Sequence, residues 1–218
     1  MSFSRRSFGL TLCAVLAVGF WWTSPGTPRA AKPTSGRTIV AFGDSLVEGR
    51  GATPGRDFVS VLARRLGTRI VNAGRSGDTT ASALTRLDSD VLARDPKVVI
   101  VLLGGNDFLR RVPTEQTFAN LEKIVDRIRR RGAAVILVGV SVGLLSDPYA
   151  SEYTAVARRN AAGLVPDILD GIIGNNDLMA DSIHPNDRGY ALFAEQVLSV
   201  SRPHLSQQMA TVQHGRVQ

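Results

Sequence analysis

Six consecutive aliphatic residues, Val98-Val99-Ile100-Val101-Leu102-Leu103, run directly into Gly104-Gly105. A run this short, with no polar residue in alternation, has no face to offer water. As a strand it must be covered on both sides, which is the position of a central strand in a parallel sheet. Thr38-Ile39-Val40-Ala41-Phe42 and residues 134–140 read as further buried strands, and residues 69–72 as a shorter one. Between them the apolar period changes to that of a helix. Phe58, Val59, Val61, Leu62 and Leu66 form one such stripe, and Leu84, Leu87, Val91 and Leu92 another within 79–92. The clearest covers 114–131, where Phe118, Leu121, Ile124, Val125 and Ile128 recur at three and four, and Gly132 closes the helix. Residues 149–162 and 190–200 predict two more helices, while 168–173 supports no single assignment. Strand and helix in alternation imply a parallel sheet with helices on both faces.

The first thirty residues do not belong to this pattern. Arg5 and Arg6 precede an apolar run from Phe8 to Trp22, followed by Ser24-Pro25-Gly26 and Arg29-Ala30-Ala31. A basic start, a short apolar middle and small residues near a cut site make an export signal. The run is shorter than the roughly 20 residues a spanning helix needs. Ser4-Arg5-Arg6-Ser7-Phe8 resembles a twin-arginine signal, and an ordinary secretory signal fits equally. The expected organisation is an export signal over 1–30, a linker over 31–37, one folded domain over 38–202 and a polar C-terminal tail over 203–218. The product is periplasmic or secreted, with no integral span once the signal is cut and an N-terminal anchor if it is not.

Composition narrows the chemistry. The single cysteine, Cys13, lies in the apolar run, so a processed chain has no thiol for a disulfide, a nucleophile or a zinc–cysteine site. The net charge is +7, of which Arg5, Arg6 and Arg29 supply three charges. No basic stripe with interleaved aromatics appears, so nucleic acid is not an expected partner.

Polar clusters stand where strands end, the place where open parallel sheets bind ligands. They are Gly43-Asp44-Ser45-Leu46, Gly74-Arg75-Ser76-Gly77-Asp78-Thr79 and Gly104-Gly105-Asn106-Asp107; a fourth, Asp181-Ser182-Ile183-His184-Pro185, precedes the last helix. A serine at a strand-to-helix turn exposes its hydroxyl and its own N–H, but it needs a base before it can attack. Of the three histidines, His204 and His214 lie in the tail, leaving His184 as the base. Asp181, three residues earlier, can fix its tautomer and stabilise the imidazolium. The Ser45 N–H, the Gly77 N–H and the Asn106 side-chain amide are then three donors for an oxyanion. Phe108, Leu109 and Val112, just past Asn106, are candidates to line an apolar acyl site, or else ordinary packing at a helix start. Asp44, Asp78 and Asp107 are assigned to bracing the loops. Each cluster alone has a plain structural explanation, as a helix cap, a turn or a surface ion pair. Their joint occurrence at one sheet edge is what points to acyl transfer.

At these residues the sequence resembles the GDSL/SGNH hydrolase family over about residues 39–200. Gly43-Asp44-Ser45-Leu46 is similar to its nucleophile block, and Gly77 and Asn106 to its glycine and asparagine. Asp181-x-x-His184-Pro185 is similar to its last block. Ser76-Gly77-Asp78-Thr79 and Leu103-Gly104-Gly105-Asn106-Asp107 resemble more particularly the secreted bacterial arylesterase, thioesterase I and lysophospholipase branch. The resemblance implies a three-layer α/β/α, flavodoxin-like sandwich that hydrolyses small-molecule esters or thioesters, with no metal and no cofactor. A zinc site would in any case have one histidine and no cysteine in the body, and would need mostly carboxylates. Residues 142–176 depart from that branch and are expected to shape the acyl pocket. Two other readings remain at this stage. A carbohydrate O-deacetylase would use the same triad on a polar leaving group. A non-catalytic flavodoxin-like domain would bind a phosphate in the 74–79 loop.

Overall fold

The computed structural model describes residues 38–141 and 148–214; the segments expected to be an export signal and a linker, with Cys13, lie outside the described residues. Five strands, β1 (Thr38–Gly43), β2 (Ile70–Gly74), β3 (Pro96–Leu102), β4 (Ala134–Val138) and β5 (Gly163–Val165), form one sheet in the order β2-β1-β3-β4-β5. Every pairing is parallel. The aliphatic run lies in β3 between β1 and β4, with Val98 to Leu102 buried, as its lack of a polar face requires.

Side chains alternate across a strand, and each face of the sheet builds its own core. Ile39, Ala41, Ile100, Leu102, Ile136 and Val138 point to one face. There they meet α2 (Phe58–Leu66) and α7 (Asp187–His214) through Phe58, Leu62, Phe193 and Val197. Val40, Phe42, Val99, Val101, Val135 and Leu137 point to the other, against α3 (Thr80–Asp90), α5 (Thr114–Arg130) and α6 (Pro148–Arg159). The result is the expected three-layer α/β/α sandwich. Two short helices, α1 (Ser45–Glu48) and α4 (Gly105–Leu109), follow β1 and β3 directly.

The expected elements are all present with modest changes of limit. β5 was not anticipated. It is a three-residue edge strand of Gly-Leu-Val with its middle residue half-buried, too short for any period to show. The backbone of α7 runs to His214, well past the helix end expected at residue 200.

The order β2-β1-β3 fixes the site. The chain leaves β1 towards one edge and returns to β3 on the other side of β1, so the loops after these strands diverge and open a crevice at their carboxyl ends. Gly104 makes the turn after β3 with φ 122°, a conformation that L side chains rarely adopt, and a Cβ there would collide with the Tyr153 hydroxyl.

Candidate active site

Asp44 ends β1 and caps α1. Its Oδ1 accepts the Leu46 N–H at 3.0 Å, which leaves Ser45 as the first residue of the helix. A first-turn N–H has no carbonyl one turn earlier to receive it, so that of Ser45 is free to meet a ligand. Across the crevice, residues 178–186 form a tight return. Met179 bridges Pro185, and the Ala180 N–H donates to the His184 carbonyl at 2.9 Å. Asp181 sits inside this return and Oδ1 accepts the N–H groups of Ile183 at 2.9 Å and His184 at 2.8 Å. The loop 49–57 supports it from outside. The Tyr190 hydroxyl donates to the Arg50 carbonyl at 2.7 Å, and Gly51 lies so close that a Cβ there would meet the Pro185 carbonyl and the His184 side chain.

These two constructions put the predicted groups in contact. His184 Nε2 lies 3.0 Å from Ser45 Oγ, and His184 Nδ1 lies 2.7 Å from Asp181 Oδ2 and 3.0 Å from Oδ1. The two Asp181 backbone bonds, that to Ile183 foremost, together with the His184 ring hold its carboxyl down at about 2. As an ionised acceptor it takes a proton only from an Nδ1–H. The neutral ring then has its lone pair on Nε2, directed at the serine hydroxyl. The His184 side chain is 9% exposed while that of Asp181 is 51% exposed.

The donor side is braced by carboxylates. Asn106, in α4, donates from Nδ2 to the Asp78 carbonyl at 3.1 Å and to Asp44 Oδ2 at 3.3 Å. Asp107 is fully buried and accepts the Thr80 N–H at 2.8 Å and hydroxyl at 2.6 Å, tying α4 to the start of α3. Burial, with the nearby Asp78 and Asp107, pushes the Asp44 carboxyl up to about 7 against the opposing Leu46 bond. Glu48 of α1 accepts from the Ser76 N–H and hydroxyl, and the Arg110 guanidinium donates to the Gly77 carbonyl at 2.9 Å. Gly77 itself has φ 81°, so its peptide adopts a turn closed to most other residues. Asp78 Oδ1 accepts the Ser82 hydroxyl at 2.9 Å, so the three acids assigned to loop bracing all make such bonds.

A cavity of about 490 Å³ opens beside the triad-like contact, of a size that takes a small organic ligand. Ser45, Asn106 and His184 line it, and so do Phe108 and Leu109. Val112 and Gly77 are not among the lining residues. α4 ends at Leu109 and the chain reverses through Arg111 at φ 56°, which carries Val112 away from the cavity. The opposite wall comes from residues 167–173, with Leu169, Asp170 and Ile173, and from Ile183. Residues 167–173 fall within the segment expected to shape the acyl pocket, but no period in it marks which side chains face the cavity. Turns hold it, with Asp167 Oδ1 accepting the N–H groups of Ser141 at 3.1 Å and Leu169 at 3.0 Å. Among the described residues no group of three or more His, Cys, Asp or Glu is arranged to hold a metal ion.

Comparison with known proteins bears on the family and the fold. A family model described as the GDSL-like Lipase/Acylhydrolase family matches residues 41–192. Esterase TesA of Pseudomonas aeruginosa is 33% identical over 178 residues, covering 77% of this chain and 89% of that protein. An arylesterase of Vibrio mimicus is 28% identical over 187 residues, 81% of this chain and 94% of its own. A crystal structure of TesA superposes with a TM-score of 0.73 at 33% identity, covering 77% of this chain and 99% of the other.

Proposed function

The chain belongs to the GDSL-like lipase/acylhydrolase family and is a carboxylic ester hydrolase; on that premise we propose that Ser45 is its nucleophile, His184 its general base and acid, and Asp181 the orienting acid. The observation that carries this reading is the continuous chain of contacts, 3.0 Å from Ser45 Oγ to His184 Nε2 and 2.7 Å from Nδ1 to Asp181. As the hydroxyl attacks an ester carbonyl, Nε2 takes its proton, and the imidazolium so formed faces an ionised carboxylate. The carbonyl oxygen becomes an oxyanion. The Ser45 N–H, the Gly77 N–H and the Asn106 amide are the proposed donors to it. The 3.3 Å bond from Asn106 to Asp44 is the longer of the two that its amide makes, and is the one an oxyanion would replace. Collapse of the tetrahedral intermediate expels the alcohol or thiol, which leaves with the proton from His184. Water then hydrolyses the acyl-serine by the same sequence.

The apolar wall of Phe108, Leu109, Ile173 and Ile183 favours an acyl chain over a sugar in the cavity. A panel of p-nitrophenyl esters, acyl thioesters and acetylated sugars, assayed on wild type and Ser45→Ala, tests this. The expected result is turnover of acyl esters that disappears in the variant. Turnover that persists unchanged in Ser45→Ala removes Ser45 from the mechanism, and a preference for acetylated sugars replaces the acyl-ester reading with an O-deacetylase.

We also propose that the protein is exported, on the strength of Arg5, Arg6 and the apolar run that follows them. No helix of the described residues is long and apolar enough to cross a membrane. N-terminal sequencing of material recovered outside the cytoplasm should begin near residues 24–31; a chain retained inside the cell with Met1 intact contradicts the proposal.

A further inference from the structure

Arg86 lies in the middle of α3, where an arginine would ordinarily point to water, yet it is 7% exposed. Its guanidinium spends its donors on four different partners. Nη2 donates to the Gly43 carbonyl and Nη1 to the Ala73 carbonyl, both at 2.9 Å, while Nε is bonded to Asp78 Oδ2 and Nη1 also to Asp90 Oδ2. The cation stacks on Phe42, 4.4 Å from the ring centroid. These partners are not scattered. Gly43 is two residues before Ser45 at the end of β1. Ala73 is at the end of β2, from which the Gly77 turn springs. Asp78 follows Gly77, and its carbonyl accepts the Asn106 amide at 3.1 Å. One planar group is therefore fastened directly to the two loops that carry Ser45 and Gly77, and through the Asp78 carbonyl it holds the Asn106 amide of the third.

We propose that Arg86 is a positioning residue for ester hydrolysis: it sets the spacing of the Ser45 N–H, the Gly77 N–H and the Asn106 amide without touching substrate. The proposal rests on the assignment of Ser45 as nucleophile. Its physical basis is that oxyanion donors act only when held in advance at the place where charge develops, so a shared rigid anchor contributes to the transition state and not to substrate binding. A guanidinium suits this role because its donors are fixed in one plane. An ammonium would keep the charge but could not span two carbonyls and two carboxylates at once.

The test is Arg86→Lys in the full chain. Turnover is normalised to the number of serines that react with a fluorophosphonate, so that any unfolded fraction drops out. The expected result is a fall in kcat of ~10–100-fold, short of the ~10²–10³ for outright loss of a donor, with KM little changed. Combined with Asn106→Ala, the lysine substitution should cost less than it does alone, because one of the three donors it positions is already gone. A purely structural arginine predicts full multiplication in that double variant. Unchanged kcat in Arg86→Lys, or full multiplication with Asn106→Ala, overturns the proposal. Should Arg86→Lys not fold, Asp90→Ala takes its place. It removes one of the four anchors at a partly exposed position, and a smaller fall in kcat at constant KM is expected, with unchanged kcat again fatal. A wild-type chain that neither hydrolyses esters nor labels at Ser45 fails the functional reading itself. An active wild type with an indifferent Arg86 variant fails this inference alone.

Discussion

On the side of the crevice formed after β1, β2 and β3, Asp44, Asp78 and Asp107 are 2%, 5% and 0% exposed, and each is bonded to a neighbouring loop or helix. On the other side, residues 167–186 hold their shape with backbone turns and with the carboxylates of Asp167 and Asp181, and the Asp181 side chain is 51% exposed. The first side arranges N–H donors; the second brings the base and an apolar wall. Buried, charge-assisted bonds give the donor side a fixed geometry, because breaking one strands a charge away from water. Exposed turns give the other side positions that water can partly satisfy. Precision in the chemistry and latitude in the substrate are therefore expected to reside on different sides of one cavity.

Replacing the atoms where the sides meet should have the largest effect. Ser45→Ala or His184→Ala should lower kcat by ~10⁶, measured with a soluble p-nitrophenyl ester. Asp181→Asn keeps the loop but invites the wrong ring tautomer, and a fall of ~10⁴ is expected. A much smaller loss would show that exposure lets water do the orienting, which would sharpen the contrast between the sides. Asn106→Ala on the donor side should reduce kcat by ~10²–10³ and leave KM nearly constant.

The two sides should also differ in how they respond to pH. Asp44 is raised from 3.8 to about 7 in the fold, so between these values the native state binds a proton that the unfolded chain has released. Stability then falls as pH rises from about 4 to about 7, by up to ~4 kcal/mol. Asp44→Asn keeps the acceptor for Leu46 and should flatten that slope in urea unfolding at a series of pH values. Asp181 has the opposite sign. Its carboxyl is lowered to about 2, so its contribution is present above 3.8 and is lost as pH falls towards 2. A wild-type slope no steeper than that of Asp44→Asn would break the comparison. The smallest effect belongs to the wall. Ile173 is half-exposed, and Ile173→Ala should raise KM for longer acyl chains by ~2–5-fold with acetyl esters unaffected.

The donor side is legible in the sequence residue by residue, whereas the opposite wall is legible only as a segment, 142–176, and the physical reason is the same for both. β1, β3 and β4 are buried on both faces and so appear as unbroken apolar runs, and the groups at their ends are placed by the sheet. Ser45, Asn106 and the braces Asp44 and Asp107 could be read from those ends. Asp181 and His184 were legible through chemistry alone, since the body offers a single imidazole and an acid three residues away. Leu169, Asp170 and Ile173 sit in turns, where neither period applies, and β5 is too short to show one. Of the two readings open for Val112, lining the cavity is not the one seen, because the chain reverses at Arg111 with a positive φ that the sequence does not announce. Arg86 was missed because a polar residue inside an amphipathic helix reads as solvent-facing until its four partners are seen.

The central claim is that the Ser45 hydroxyl gains its reactivity from the imidazole held 3.0 Å away. Reaction of the full chain with a fluorophosphonate, with the adduct located by peptide mass spectrometry in wild type and His184→Ala, measures this directly. The account predicts one adduct, on Ser45, forming orders of magnitude more slowly in the variant; an adduct on another residue, or one on Ser45 at an undiminished rate without the imidazole, contradicts it.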